Sequence, residues 1–335
     1  MKKLSIVPDL TYDDVLINPK ISTIESRFSE NVIPYFSEKF LPIVSSPMDS
    51  ISSPDFFKKV SQKIYASFSH RFKSITDQIL DLELHGASGA VISLTTSEKD
   101  IERLLASEPK HLLLDVANGA NTFVKNKLKA LQKYRNRVIL WSGNVANAEG
   151  FNFISPYCDF IRVGIGGGSA CETRTTTGIG RGNISTILDI KENKLGNNDC
   201  KIVADGGIKN NADICKAIAA GADLVMLGSM FAKTEESFGE VVTIGGKTFK
   251  KFRGMASENV SKESGKEKYS IEGASGMLEC SGSVDKLLEQ IEANLRSSMS
   301  YVDARNLFQY YQNTELVVVS NSVKNESSHS LILGK

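Results

Sequence analysis

The sequence predicts a (β/α)8 barrel of the TIM type, in the α/β class, on three observations: eight short apolar runs, helix-like stretches between them, and chemistry-bearing residues placed just after the runs. In order, the runs are LPIVSS (41–46), IYASFS (64–69), GAVISL (89–94), HLLLDV (111–116), RVILWSG (137–143), DFIRVG (159–164), KIVADGG (201–207) and ADLVMLGS (222–229). Each is rich in Val, Ile or Leu, too short for a buried helix and bounded by turn residues. Runs that are continuously apolar, as opposed to alternating, imply a parallel sheet covered on both faces. Stretches such as SPDFFKKVSQK (53–63), SITDQILDLELHG (74–86), NTFVKNKLKALQKYR (121–135) and NADICKAIAAG (211–221) supply the covering helices. Eight such units favour a closed barrel; an open doubly wound sheet is the alternative.

Composition agrees with a globular protein, at 335 residues, 41% hydrophobic and 24% charged. This length accommodates two domains, but α/β barrels run to this size as one, and residues 1–335 are read as a single catalytic domain. A formal net charge of +1 provides no general attraction to nucleic acid or anionic lipid, so any anion must be held locally. The opening MKKLSIVPDLTYDD breaks at Pro8 and Asp9 before a signal-peptide core could form, and no run approaches the roughly 18 apolar residues of a membrane span. A cytoplasmic location without membrane partners is expected. The five cysteines (Cys158, Cys171, Cys200, Cys215 and Cys280) are odd in number and lack CxxC spacing. Reduced thiols, and no zinc site, follow.

In a barrel the chemistry lies at the C-terminal ends of the strands. There the sequence places SSPMD (45–49), Asp115 to Gly119, the loop GIGGGSAC, Asp205-Gly206-Gly207, and Gly228-Ser229. The last two suit the barrel's phosphate site, where exposed backbone N–H groups hold an anion. A phosphorylated ligand is expected. Cys171 stands among Ser169, Ala170, Glu172, Thr173 and Arg174, neighbours that suit a thiol presented to a ligand. Taken singly, each feature has a plainer reading. The glycines could form a tight connection, an isolated cysteine is more often a small buried hydrophobe, Met48 and Met255 could fill the core, and Asp205 could cap the next helix.

Beyond residue 230 the pattern changes. Residues 257–276 are polar and rich in Gly and Ser, and 257–282 read as a mobile flap. Residues 283–302 read as an amphipathic helix capped by Ser283, and 320–335 as a flexible tail.

The motifs LTYDDVLINP (10–19), LPIVSSPMDS (41–50), VGIGGGSACETRTTTGIG (163–180), IVADGGI (202–208), ADLVMLGSMFA (222–232), FRGMAS (252–257) and SSMSYV (297–302) resemble, in order and spacing, the IMP dehydrogenase and GMP reductase family of purine nucleotide barrels. The resemblance implies that Cys171 attacks C2 of the purine. It implies that Ser169, Gly207, Gly228 and Ser229 hold the 5′-phosphate, that Asp205 binds the ribose hydroxyls, that Met48, Met255 and Ala256 line the purine, and that Gly273 belongs to the substrate site. Asp115, Ala117 and Asn118 would face a nicotinamide cofactor. Backbone carbonyls of Gly166, Gly168 and Cys171 would hold a monovalent cation, potassium in related enzymes. The family also implies a homotetramer.

The direction of the chemistry turns on proton-handling groups. By resemblance, reductases use a threonine two residues after the cysteine and a flap glutamate in a Glu-Gly pair, which Thr173 and Glu272-Gly273 match. Dehydrogenases use an Arg-Tyr pair, where this chain has Lys268-Tyr269, and commonly a tyrosine where Phe252 stands. Only about twenty residues separate the second and third runs, too few for the regulatory CBS insertion. The expected activity is therefore NADPH-dependent reductive deamination of GMP to IMP. SSPMD, however, looks more like the dehydrogenase form, Glu172 and Arg181-Gly182 depart from the usual pattern, and Glu172 is expected to point away from the thiol. An IMP dehydrogenase using NAD is the alternative, and a purine-nucleotide-binding barrel without turnover is a second.

Overall fold

Runs that are apolar on both faces bury best in a sheet wrapped by helices. The computed structural model describes residues 8–37, 39–70, 72–196, 199–253, 275–320 and 322–323, and in it all eight runs are strands of one parallel sheet. After a short β1 (Val15–Ile17), these are β2 (Leu41–Ser45), β3 (Ile64–Ala66), β4 (Gly89–Ile92), β5 (His111–Leu114), β6 (Ile139–Val145), β7 (Phe160–Val163), β8 (Lys201–Asp205) and β9 (Leu224–Leu227). Their spatial order is β3-β2-β9-β8-β7-β6-β5-β4. A parallel bridge between Phe68 and Gly89 joins the two ends of the sheet and closes it. Gly89 makes this closure possible, since a Cβ there would lie 2.5 Å from the Phe68 ring. The fold is a (β/α)8 barrel.

Around it run α1 (Pro54–Val60), α2 (Ile75–Leu80), α3 (Glu98–Ala106), α4 (Thr122–Leu131), α5 (Ala148–Ile154), the short α6 (Thr173–Thr177), α7 (Asn183–Asn193), α8 (Asn211–Ala219) and the short α9 (Ser229–Ala232). Most begin on a Ser or Asn whose side chain accepts one of the helix's unpaired N–H groups: Ser53 from Phe56, Asn147 from Gly150, Asn210 from Asp213. The start of α7 differs, because its cap is Gly182, where a Cβ would stand 2.3 Å from the Leu10 carbonyl oxygen. The N-terminal segment thus lies directly against this helix start.

The lower barrel interior is aromatic. Trp141 stacks on Phe160 with ring centroids 4.1 Å apart, and Tyr65, Phe68 and His111 pack edge-on or tilted around the pair. The Trp141 indole N–H donates to His111 Nδ1 at 3.1 Å, so the accepting nitrogen carries no proton. Phe36, from the segment preceding the barrel, closes the base against Tyr65 and Phe160.

The C-terminal third holds a structure that the sequence reading did not anticipate. β10 (Val241–Ile244), β11 (Lys247–Arg253) and β12 (Ser275–Glu279) form a separate antiparallel sheet. Gly245 and Gly246, both at positive φ, turn the first hairpin. Ser275–Glu279 was expected within the 257–282 flap, yet it pairs with β11 from Phe249↔Glu279 to Arg253↔Ser275; the flap's remaining expected residues up to 274 lie outside the described residues. Lys250 fastens this sheet to the barrel. Buried, its ammonium donates to the carbonyls of Thr234, Glu235 and Ser237 at 2.6–2.8 Å and to the Ser237 hydroxyl at 3.1 Å.

α10 (Val284–Ser300) starts on Ser283 as expected and buries Val284, Leu288, Ile291, Leu295 and Met299 along one stripe. α11 (Leu307–Asn313) follows, and β13 (Leu316–Val318) pairs with β1. Of the expected tail, residues 321 and 324–335 lie outside the described residues. No helix among the described residues is long and apolar enough to cross a membrane.

His111 makes stability acid-sensitive. Burial, with a contribution from Lys110, pushes its imidazole down from an ordinary 6.5 to about 3. Below pH 6.5 the unfolded chain takes up a proton that the folded protein refuses, so stability falls as pH drops from about 6.5 towards 3. This residue should account for about 2 kcal/mol of the loss between pH 7 and pH 5. Urea unfolding at the two pH values reads it through Trp141, the chain's single tryptophan, and His111→Gln should flatten the pH dependence by that amount.

Candidate active site

Adjacent strand ends can bring loops together only if their backbones approach closely, and glycine permits that approach. Gly164 (φ +133°) follows β7, and a Cβ there would sit 2.2 Å from the Asp205 carbonyl oxygen. At Gly206 (φ +94°) it would be 3.0 Å from the Gly168 nitrogen. The loop carrying the cysteine therefore lies backbone-on-backbone against the loop after β8.

Within the first loop the Cys171 N–H donates to the Gly168 carbonyl at 3.0 Å, forming the turn that presents the thiol. The half-buried Cys171 thiol donates to Thr173 Oγ1 at 3.3 Å. Arg174 lies across Gly166 and Gly180, leaving no room for a Cβ at either, and its guanidinium donates to the Arg181 carbonyl. Glu172 precedes α6 and does not line the cavity.

The floor is a charged cluster. Arg162, at the end of β7 and 4% exposed, donates to Asp115 Oδ1 at 2.5 Å and lies 3.9 Å from Asp205 Oδ2. Asn144 Nδ2 donates to Asp205 Oδ2 at 2.7 Å and to the Gly164 carbonyl at 2.8 Å. Burial pushes the Asp205 carboxyl above its ordinary range, and Arg162 and Asn144 oppose that push. Asp205 is not a helix cap, since Asn210 caps α8.

Together these loops enclose a cavity of about 530 Å³. Met48, Asp115, Ala117, Asn118, Gly166, Gly168, Ser169, Cys171, Thr173, Asp205, Gly207, Gly228 and Ser229, all singled out from the sequence, line it. Met255, Ala256, Glu272 and Gly273 lie outside the described residues. Phe252 brings β11 to the cavity wall. Past Asp115 and Asn118 the wall continues into a second hollow of about 380 Å³, bordered by Ser93, Thr95 and Asn121. Among the described residues no group of His, Cys, Asp or Glu side chains could hold a metal ion.

A sequence profile described as the IMP dehydrogenase / GMP reductase domain matches residues 9–330. The chain belongs to this family. Among curated members it is similar to the GMP reductase of Buchnera aphidicola subsp. Schizaphis graminum, 33% identical over 330 residues that cover 93% of this chain and 94% of the relative. The GMP reductases of Staphylococcus epidermidis and Aliivibrio fischeri are each 32% identical, covering 94% of this chain and 97% and 96% of their own lengths.

In this IMP dehydrogenase / GMP reductase barrel, the sequence reading missed Asn144 and Arg162, although both line the cavity. Their signal was present: a charged residue near the end of an apolar strand and a polar one just after WSG, where barrel chemistry collects. Arg162→Met would leave two carboxylates on the floor without the guanidinium between them. Breaking a buried ion pair from one side costs on the order of 3–5 kcal/mol. Urea unfolding of this variant should show a loss of that size, with Asp115→Asn in the same background recovering part of it.

Proposed function

We propose that the protein is a GMP reductase, converting GMP to IMP and ammonia with NADPH. The observation that carries this reading is the contact between Cys171 and Thr173 inside a cavity whose wall also holds both glycine loops of a phosphate site. A thiol and a hydroxyl set together at the mouth of an anion site serve a reaction at the base, and a pure binder needs neither. The GMP reductase names of the similar proteins support the same direction.

In the proposed reaction the Cys171 sulfur adds to C2 of the guanine ring, the 2-amino group leaves as ammonia, and C2 is held to sulfur as a thioimidate. Thr173, in contact with the sulfur, relays a proton to the departing nitrogen, with Glu272 as its acid. NADPH, when bound, supplies a hydride to C2. Loss of the thiolate from the reduced carbon then yields IMP. Asp205 orients the ribose, while Met48, Met255, Ala256 and Gly273 hold the base in reach of the sulfur. The residues present suit an extended dinucleotide, because the wall from Asp115 to Asn118 is shared between the main cavity and the second hollow. A potassium ion on the carbonyls of Gly166, Gly168 and Cys171 and assembly as a homotetramer complete the reading.

Incubation with GMP and NADPH, and separately with IMP and NAD, decides the direction by nicotinamide absorbance. GMP-dependent loss of NADPH is expected. NADH formation from IMP would assign the dehydrogenase instead, and nucleotide binding with neither signal a sensor. Cys171→Ala should lower turnover by about a thousandfold or more while GMP still binds, and Glu272→Gln should lower kcat by about a hundredfold at similar affinity.

A further inference from the structure

Gly206 and Gly207 both stand at positive φ, +94° and +77°. Glycine adopts such conformations freely but does not enforce them, so something else must aim the N–H groups of this turn. Asn183 is placed to do so. It is the first residue of α7 and 3% exposed. Its Nδ2 donates to the Gly206 carbonyl at 2.5 Å and to the Asp205 carbonyl at 3.4 Å.

A trans peptide holds its C=O and the following N–H on opposite sides. A donor that grips the Gly206 oxygen therefore turns the Gly207 N–H away from itself, and the grip on Asp205 does the same for the Gly206 N–H. Gly206 and Gly207 line the cavity, and Asn183 does not. Both N–H groups thus face from Asn183 towards the cavity, and among the described residues neither donates to a protein acceptor.

The two carbonyls to which it donates hold the amide in one orientation, and Tyr12 stands beside it. Tyr12 flanks the same turn, its ring carbon Cε2 3.4 Å from where a Gly207 Cβ would be. Burial pushes its phenol well above the ordinary range, so it stays a neutral O–H donor next to Asn183. Asn183 Oδ1 and the Tyr12 oxygen are both buried, and among the described residues neither makes a hydrogen bond. On the remaining side a Cβ at Gly167 would stand 2.9 Å from Oδ1, so the cysteine loop rests on the same amide.

We propose that Asn183 is the positioning residue of the anion cradle: its amide, held on the Asp205 and Gly206 carbonyls with Tyr12 beside it, aims the N–H groups of Gly206 and Gly207 at the phosphate of the ligand. That the ligand is a purine nucleotide rests on the function proposed above. The cradle does not, because any phosphate monoester presents the same oxygens.

Calorimetry with inorganic phosphate, GMP and guanosine on wild type, Asn183→Ala, Asn183→Asp and Tyr12→Phe tests it. Asn183→Ala should weaken phosphate and GMP by about tenfold, the worth of one oriented hydrogen bond, while guanosine changes less than about twofold. Asn183→Asp, with an acceptor facing two carbonyls, should lose more, and Tyr12→Phe less. Should the aspartate variant not fold by circular dichroism, the alanine and phenylalanine variants decide. Phosphate affinity unchanged in Asn183→Ala, equal losses for GMP and guanosine, or no phosphate binding by wild type would overturn the proposal. Phosphate binding that depends on Asn183 in a protein that binds neither GMP nor guanosine would leave the cradle standing and remove the purine reading.

Discussion

The site depends on backbone lying against backbone at the ends of neighbouring strands. A Cβ at Gly143 would be 2.6 Å from the Arg162 carbonyl oxygen, one at Gly164 2.2 Å from that of Asp205, and one at Gly206 3.0 Å from the Gly168 nitrogen. β6, β7 and β8 are thus linked in succession by positions where no side chain fits. Any larger residue would drive these loops apart, and the cavity exists because they stay together. The consequence for chemistry is that backbone amides of the glycine loops reach the cavity beside Cys171, next to side chains such as Met48 and Ile179. Amides set in a rigid turn lose little entropy when a ligand arrives, which suits recognition of a phosphate.

Where glycine amides reach the cavity, the orientation of those peptides and the charge beneath them fall to neighbouring side chains. Arg162 supplies the charge, lying between Asp115 on the side of the second hollow and Asp205 on the side of the glycine turn. One guanidinium so placed ties the two halves of the cavity electrostatically. The carboxylates it meets are the ones expected at the cofactor and the ribose, so a change in the position of either is felt by the other. Asn144 adds a neutral link from Asp205 back to Gly164.

The barrel was legible in the sequence because its strands are apolar on both faces, and such runs have few other ways to bury themselves. Their expected lengths overran at the C-terminal end: IYASFS (64–69) became Ile64–Ala66 and KIVADGG (201–207) became Lys201–Asp205. Of those surplus residues Gly206 and Gly207 line the cavity, while Ser67, Phe68 and Ser69 are buried in the barrel. The β10–β11 hairpin was missed although Val241–Ile244 is followed by Gly-Gly, a strong turn signal. Its strands are mostly exposed, so they lack the burial pattern by which the others were found. Asn183 left no mark either, because it works through carbonyls of residues more than twenty positions away. Contacts to backbone have no side-chain partner to betray them in a sequence.

The same small sheet sets where the chain leading to the proposed acid leaves the barrel. Arg253 and Ser275 are register partners at the end of β11 and β12, and Glu272 lies in the sequence between them, outside the described residues. Phe252, next to Arg253, is in the cavity wall. Lys250, two residues earlier, is held by four oxygens of residues 234–237, and Glu236 in turn accepts from the N–H of Val284 at the start of α10. The ends of β11 and β12 are therefore fixed to the barrel by a buried ion and a helix end. The thiol of the proposed reaction thus sits on a barrel loop, while the chain leading to the proposed acid leaves from β11, which is fastened to the same barrel through Lys250.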